Sequence, residues 1–344
     1  MAIEVTVRIE DWLRWRTPLL SSASSVADLA VTDETGRHPM PHSAYGKWKI
    51  NSLGTRGPEP EPERSEARVL VLGASETFGL YEAPDHEYPR QLADSLHASG
   101  CEVDVLNAGF VGMSLPTVEQ DLRLRLARLN PDVVVYYPTP PQYLDEALPR
   151  RFPIDASPPM TKARAWWYPR FAARARTQLK QMLPAAIADW IRARDIRQAR
   201  ASHDDQWVFD AVPSDRLQAF EMDLRVLVGT IHAVGSKAVL VTHVHRFLGQ
   251  DRDERVLRSW ERFYPRATGA TILAFEEEAA EAVRRVAADS GLALADPWAA
   301  FARAESSEVF ADFSHFTDLG ASLMASELRH AAATAAGCSP KQEP

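Results

Sequence analysis

Five consecutive residues, Val133-Val134-Val135-Tyr136-Tyr137, are all β-branched or aromatic, the composition of a strand covered on both faces. Such a strand needs helical layers above and below it. The flanking sequence supplies them. Val69 to Leu72 is a short apolar strand followed by a helical pattern around Tyr88 to Ser99, and Val103 to Leu106 is followed by Thr117 to Leu129. After the central run come a helix-like Asp215 to Val234, a strand over Ala238 to Thr242, a long helix over Leu273 to Ser290 and a last strand over Leu292 to Ala295. This alternation predicts a three-layer α/β/α sandwich with a mainly parallel central sheet.

The main domain is expected over 67–335, interrupted by a helical insertion at 145–215 and followed by a tail at 336–344. Within the insertion, Ala163 to Arg200 is basic and rich in helix formers, with Trp166, Trp167 and Tyr168 near its start and Trp190 farther on. It reads as a helical element that packs its aromatics and exposes its arginines, or as a lid holding an anionic substrate, carrier or protein partner. Residues 1–66 form an N-terminal extension on or near the main domain. Trp12 and Trp15 lie there on a structural stripe, Trp48 to Gly57 is an ordered loop, and Pro58 to Glu63 is a connector.

A net charge of -8 argues against a general nucleic-acid binder. The start of the chain lacks the basic and apolar regions of a secretory signal, and no apolar run is long enough to span a bilayer, so a cytoplasmic location is expected. Cys101 and Cys338 make neither a disulfide framework nor a metal-ligand cluster and are expected as unpaired thiols.

The first strand runs into Gly73-Ala74-Ser75-Glu76-Thr77-Phe78-Gly79. Small residues directly after a strand permit a sharp turn into a helix, which presents Ser75 at the strand's carboxyl end. No lysine follows Gly79, so this is not a Walker loop, and no acidic residue downstream marks a dinucleotide site. Far downstream, Asp312-Phe313-Ser314-His315 places an acid and a base three residues apart. A serine hydroxyl becomes nucleophilic at neutral pH when an imidazole takes its proton and a carboxylate fixes that imidazole. His243 and His245 alternate after a strand but have no nearby partner set for zinc. Packing, loop hydrogen bonding or substrate contact are the roles open to them.

In these blocks the sequence resembles the SGNH or GDSL-like hydrolase superfamily, especially bacterial members with an Asn-x-x-Gly-x-Arg-Gly segment ahead of the hydrolase domain. The matching residues are Asn51 to Gly57, Gly73 to Gly79, Asn107 to Gly112 and Asp312 to His315, within approximately 48–144 and 216–330. The resemblance implies that Ser75 is the nucleophile, His315 the base and Asp312 its orienting acid, with Asp318 the poorer match. It implies an oxyanion hole formed by the N–H groups of Ser75 and Gly112. Two departures stand out. Ala74 replaces an aspartate frequent in the first block, and Pro138-Thr139-Pro140-Pro141-Gln142-Tyr143 replaces the Gly-x-Asn-Asp block whose asparagine adds an oxyanion donor. Gln142 is the candidate replacement donor, with Thr139 or Tyr143 able to help. Tyr143, His243 and His245 are candidate substrate contacts.

The function implied is a serine-dependent esterase or acyltransferase that works through an acyl-enzyme on a small O-acyl or thioester substrate. It needs no metal or organic cofactor, and a carrier or polymeric acceptor is a possible partner of the insertion. The alternative is a catalytically impaired SGNH-like binding or scaffold protein.

Overall fold

The computed structural model describes residues 2–21, 23–60, 67–152, 170–181 and 184–338. Its centre is a five-stranded sheet in the order β6-β5-β7-β8-β9, with every adjacent pair parallel. The strands are β5 (Ala67–Leu72), β6 (Val103–Asn107), β7 (Val133–Tyr136), β8 (Lys237–Val241) and β9 (Ala293–Ala295). Alternation along each strand divides the core in two. Leu70, Leu72, Val134, Tyr136 and Leu240 face a layer built from α4 (Leu115–Leu124), α7 (Ser214–Ala233) and α9 (Gly269–Asp289). Val69, Val71, Val133, Val135, Val239 and Val241 face α3 (Tyr88–Ala98) and α12 (Asp318–Ala336). The fold is therefore a three-layer α/β/α sandwich.

The strand order reverses at β5, which lies between its two successors β6 and β7. In open parallel sheets the crevice outside the carboxyl ends of the strands at such a reversal is where ligands bind. The remaining helices pack around this frame: the four-residue α2 (Ser75–Phe78) after β5, α8 (Glu254–Glu261) before α9, and α10 (Trp298–Arg303) and α11 (Ser306–Val309) before α12. Among the described residues no helix is long and apolar enough to cross a membrane.

The N-terminal segment contributes α1 (Ala2–Trp15) and two short antiparallel hairpins, β1 (Ala30–Asp33) with β2 (Gly36–Pro39) and β3 (Ala44–Tyr45) with β4 (Trp48–Lys49). The loop after β4 docks on the sheet edge. Arg56 N–H donates to Asn107 O at 2.8 Å, and Asn51 Oδ1 accepts the N–H groups of Leu53 and Thr55 at 3.0 Å each, which closes the loop on itself. In the insertion, α5 (Arg170–Gln181) lies against α1, with buried Arg170 bonded to Asp11 and to the carbonyls of Pro18 and Ser21. The next helix, α6 (Ala185–Ala201), carries Trp190 on an exposed position. Trp166, Trp167 and Tyr168 lie outside the described residues.

One sequence expectation is overturned. Cys101 and Cys338 are disulfide-bonded, with Cα atoms 5.5 Å apart and a sequence separation of 237. The reason is topological: α3 and α12 pack side by side, so the residue ending the α3 turn and the residue ending α12 meet at the same edge of the domain.

Candidate active site

The turn after β5 is shaped by its glycines. A methyl group on Gly73 would stand 2.0 Å from Thr77 Oγ1 and 2.9 Å from Tyr137 O, and one on Gly109 would stand 2.6 Å from Thr77 Cβ. Both positions therefore exclude a side chain, and Thr77 fills the space between them. Thr77 is fixed further by a 2.8 Å hydrogen bond to the Tyr88 hydroxyl on α3. This packing makes Ser75 the first residue of α2, at the carboxyl end of β5.

Three side chains separated widely in sequence meet there. His315 Nε2 is 2.9 Å from Ser75 Oγ, and His315 Nδ1 is 3.0 Å and 2.9 Å from the two Asp312 carboxylate oxygens. Asp312 Oδ1 also accepts the N–H groups of Ser314 and His315, so the acid folds its own loop around the base. Gly320 lets α12 start against this loop, since a methyl there would stand 1.9 Å from Val309 O. Asp318 is engaged elsewhere: it accepts from Ala83 N–H at 2.7 Å and pairs with His86 at 3.0 Å.

Electrostatics favour a protonated His315. Burial opposes the imidazolium, but the Asp312 hydrogen bond and the charges of Glu76, Asp312 and Glu82 outweigh it and push the group up to about 9. Burial also works against an ionised Asp312, yet its bonds to His315 and to two backbone amides hold the carboxyl below the usual carboxylate range. Tyr81 covers this pair from the solvent side, its ring edge-on to His315 with centroids 5.4 Å apart. Burial and the neighbouring Asp312 push its hydroxyl up to about 12. Glu82, beside it, is pushed up to about 7 by burial.

Gly112 follows β6 in a loop tied to the serine turn by Phe110 N–H donating to Gly73 O at 3.2 Å. Its φ of +70° is left-handed, the conformation glycine adopts without strain. Among the described residues, neither Ser75 N–H nor Gly112 N–H has an acceptor. Gln142 is nearby: its Nε2 donates to Met113 O at 3.1 Å, which leaves its second amide hydrogen uncommitted. Thr139 points its hydroxyl at Glu76 Oε2, 3.4 Å away.

Tyr143, His243 and His245 lie behind the surface rather than on it. Tyr143 donates its hydroxyl to Asp223 at 2.6 Å within the core. His243 is paired with Glu276 at 2.8 Å, and His245 lies between Trp260 and Trp298 and accepts Phe247 N–H. Burial drives His245 down to about 3, so it stays neutral. The strand ends at Val241, so strand alternation does not set where His243 and His245 point.

Three further side chains reach the site without a role assigned from the sequence, although Glu76 and Arg56 lie inside the Gly73–Gly79 and Asn51–Gly57 blocks. Glu76 is buried beneath Ser75. Arg37, from β2, donates to Val111 O at 2.9 Å, stacks over Phe110, and has its guanidinium nitrogens 3.8 and 3.9 Å from where a Gly112 methyl would be. Arg56 clamps the far end of α2, donating to the carbonyls of Phe78 and Gly79 and pairing with Glu87 at 3.1 Å.

No protein-family model matches the sequence, and no curated protein matches it. Solved structures similar in chain path include a lipase/acylhydrolase from Enterococcus faecalis (17% identity, covering 80% of this chain and 100% of that one, TM-score 0.46). An acetylxylan esterase from Geobacillus stearothermophilus is similar at 12% identity (81% and 98%, TM-score 0.47), and an α/β hydrolase enzyme from the metagenome of Lake Arreo, Spain, at 16% (79% and 95%, TM-score 0.45). These are distant likenesses of fold and assign no role to any residue here.

Proposed function

We propose that the chain is a serine-dependent esterase or acyltransferase acting on a small O-acyl or thioester substrate. The observation that carries this reading is the continuous contact Asp312–His315–Ser75, with 2.9 Å between the imidazole Nε2 and the serine oxygen. In that geometry neutral His315 accepts the Ser75 proton at Nε2 as the hydroxyl oxygen attacks the acyl carbon. Asp312 holds Nδ1–H and stabilises the imidazolium that forms. The unpartnered N–H groups of Ser75 and Gly112 are the donors for the oxyanion. Collapse of the tetrahedral intermediate expels the alcohol or thiol, which takes the proton from His315 Nε2, and leaves the acyl group on Ser75 Oγ. Water or an acceptor hydroxyl then repeats the sequence, giving a free acid or a transferred acyl group.

Pro140 and Pro141 stand where a side-chain donor is frequent in similar enzymes, and they supply no N–H of their own. A missing oxyanion donor lowers kcat by roughly two orders of magnitude without abolishing it. The test is intact-protein mass spectrometry after exposure to short-acyl p-nitrophenyl esters and thioesters. An acyl adduct that maps to Ser75 and is absent from Ser75→Ala is the expected result. A folded wild-type sample with neither adduct nor turnover would reject the reading in favour of a binding protein.

A further inference from the structure

Behind the nucleophile is a second set of ionisable groups that acyl transfer does not require. Glu76 is 2% exposed, His243 2% and Glu276 0%. His243 Nδ1 is 2.8 Å from Glu276 Oε1, and its Nε2 is 4.0 Å from Glu76 Oε1. The His243–Glu276 contact is off the line of a good hydrogen bond, and among the described residues these atoms have no better partner. Burial raises the Glu276 carboxyl and the neighbouring His243 opposes that rise, so the contact sets an imidazole against an acid that share one buried site. Burial disfavours the imidazolium, but the Glu276 and Glu76 carboxylates raise His243 above its ordinary range. Burial of charged groups with so little hydrogen bonding is expensive and is a weak source of stability.

Glu76 reaches forward from this pair. Its Oε1 accepts Ser314 Oγ at 3.0 Å, and its Oε2 lies 3.3 Å from Ser75 Oγ. Ser75 has one hydroxyl hydrogen and two neighbours able to accept it, His315 Nε2 at 2.9 Å and Glu76 Oε2. When His315 is imidazolium, its Nε2–H donates to Ser75 Oγ, and the protein acceptor left for the serine hydrogen is Glu76 Oε2. When His315 is neutral, the serine hydrogen turns to Nε2, the orientation that attack needs.

We infer that Glu76 is a positioning residue which, braced by the His243–Glu276 ion pair, takes the Ser75 hydrogen bond in the resting state and so holds the triad in its protonated, inactive form. This rests on the acyl-transfer reading for its consequence but not for its measurement. The charged and titratable groups facing His315 are Asp312 on its own loop, Glu76 from α2, and Tyr81 and Glu82 from the loop that follows. Those facing His243 are Glu276 from α9, Glu76, the Tyr137 ring with its centroid 5.2 Å away, His245 two residues on and, farther away, His315. Glu76 is the member of both groups, so it couples the two histidines.

The test is NMR of protein carrying isotope-labelled histidine, titrated through neutral and alkaline pH, for wild type and Glu76→Gln. The variant is expected to lower the His315 midpoint by at least about one pH unit, which is roughly tenfold more neutral His315 at pH 7. Labelling of Ser75 by a fluorophosphonate, normalised to each protein's alkaline plateau, is expected to shift by the same interval. A midpoint unchanged in a folded variant overturns the inference. If the variant does not fold, the wild-type spectra decide it: His243 must carry both ring protons at pH 7, and a neutral His243 overturns the brace. A shifted midpoint in a protein with no turnover supports the coupling and refutes acyl transfer, whereas turnover with an unmoved midpoint does the reverse.

Discussion

Arg56 joins the N-terminal segment to the Ser75 turn, and its replacement separates stability from labelling at Ser75. The side chain is 4% exposed and its partner Glu87 3%, with 3.1 Å between Nη2 and Oε2. The other terminal nitrogen donates to the carbonyls of Phe78 and Gly79 at the end of α2. Arg56→Met leaves the Glu87 carboxylate buried without a cation, a loss of about 3–5 kcal/mol by analogy with other broken buried pairs. That is a large share of the stability of an ordinary domain. Pairing it with Glu87→Leu removes the stranded charge. Gly79 O keeps a donor in Trp48 Nε1 at 3.1 Å, so only the Phe78 carbonyl remains unserved, worth about 1–3 kcal/mol. The double variant is therefore expected to regain part of the lost stability in urea denaturation, yet to label slowly at Ser75 because α2 has lost its clamp. A single variant less than about 1 kcal/mol below wild type, or a double variant no more stable than the single, would refute the argument that stranded charge is the cause.

Four further outcomes follow from the site and the cross-link. In the proposed mechanism acylation of Ser75 requires neutral His315, so its rate is expected to rise with pH and level off above about 9, whereas a plateau reached near pH 7 would contradict the assignment. The same raised group acts oppositely on stability: its contribution is fully present below the ordinary imidazole range and is lost as pH rises through about 9, which urea midpoints measured across that window will show. Gly73→Ala forces a methyl to within 2.0 Å of Thr77 Oγ1 and 2.9 Å of Tyr137 O, so fluorophosphonate labelling is expected to collapse even where circular dichroism shows a folded chain. Reduction of the Cys101–Cys338 bond, which spans 237 residues, removes a chain-entropy constraint of at most about 5 kcal/mol; reductant should lower the urea midpoint of wild type but not of Cys101→Ser/Cys338→Ser.

The sheet was legible because apolar strands and helical periods are local signals. Val133 to Tyr136, for instance, is buried throughout β7, as its composition implies. Element ends were less so: the pattern over Thr117 to Leu129 runs through α4 and into a separate 3-10 turn at Leu126–Leu129. Ser75, Asp312 and His315 stood out because their chemistry is rare in combination. Glu76 and Arg37 did not, since a glutamate inside a turn and an arginine on a hairpin are ordinary until tertiary packing buries one and brings the other to Gly112. The disulfide escaped for the same reason: spacing along the chain says nothing of two helices that finish side by side. Tyr143, His243 and His245 show the converse, polar groups placed near strand ends whose partners turn out to be Asp223, Glu276 and a tryptophan pair.

The distance along the chain between Ser75 and His315, 240 residues, also fixes an order of events during synthesis. At the usual rates of about 5–20 residues per second, the histidine is added some 10–50 s after the serine. Throughout that interval the growing polypeptide carries a serine with no base to activate it. It gains one only when the segment leading into α12 has been made and has docked. On the proposed reading, a ribosome-bound chain stalled before residue 312 would therefore be inert toward acyl donors.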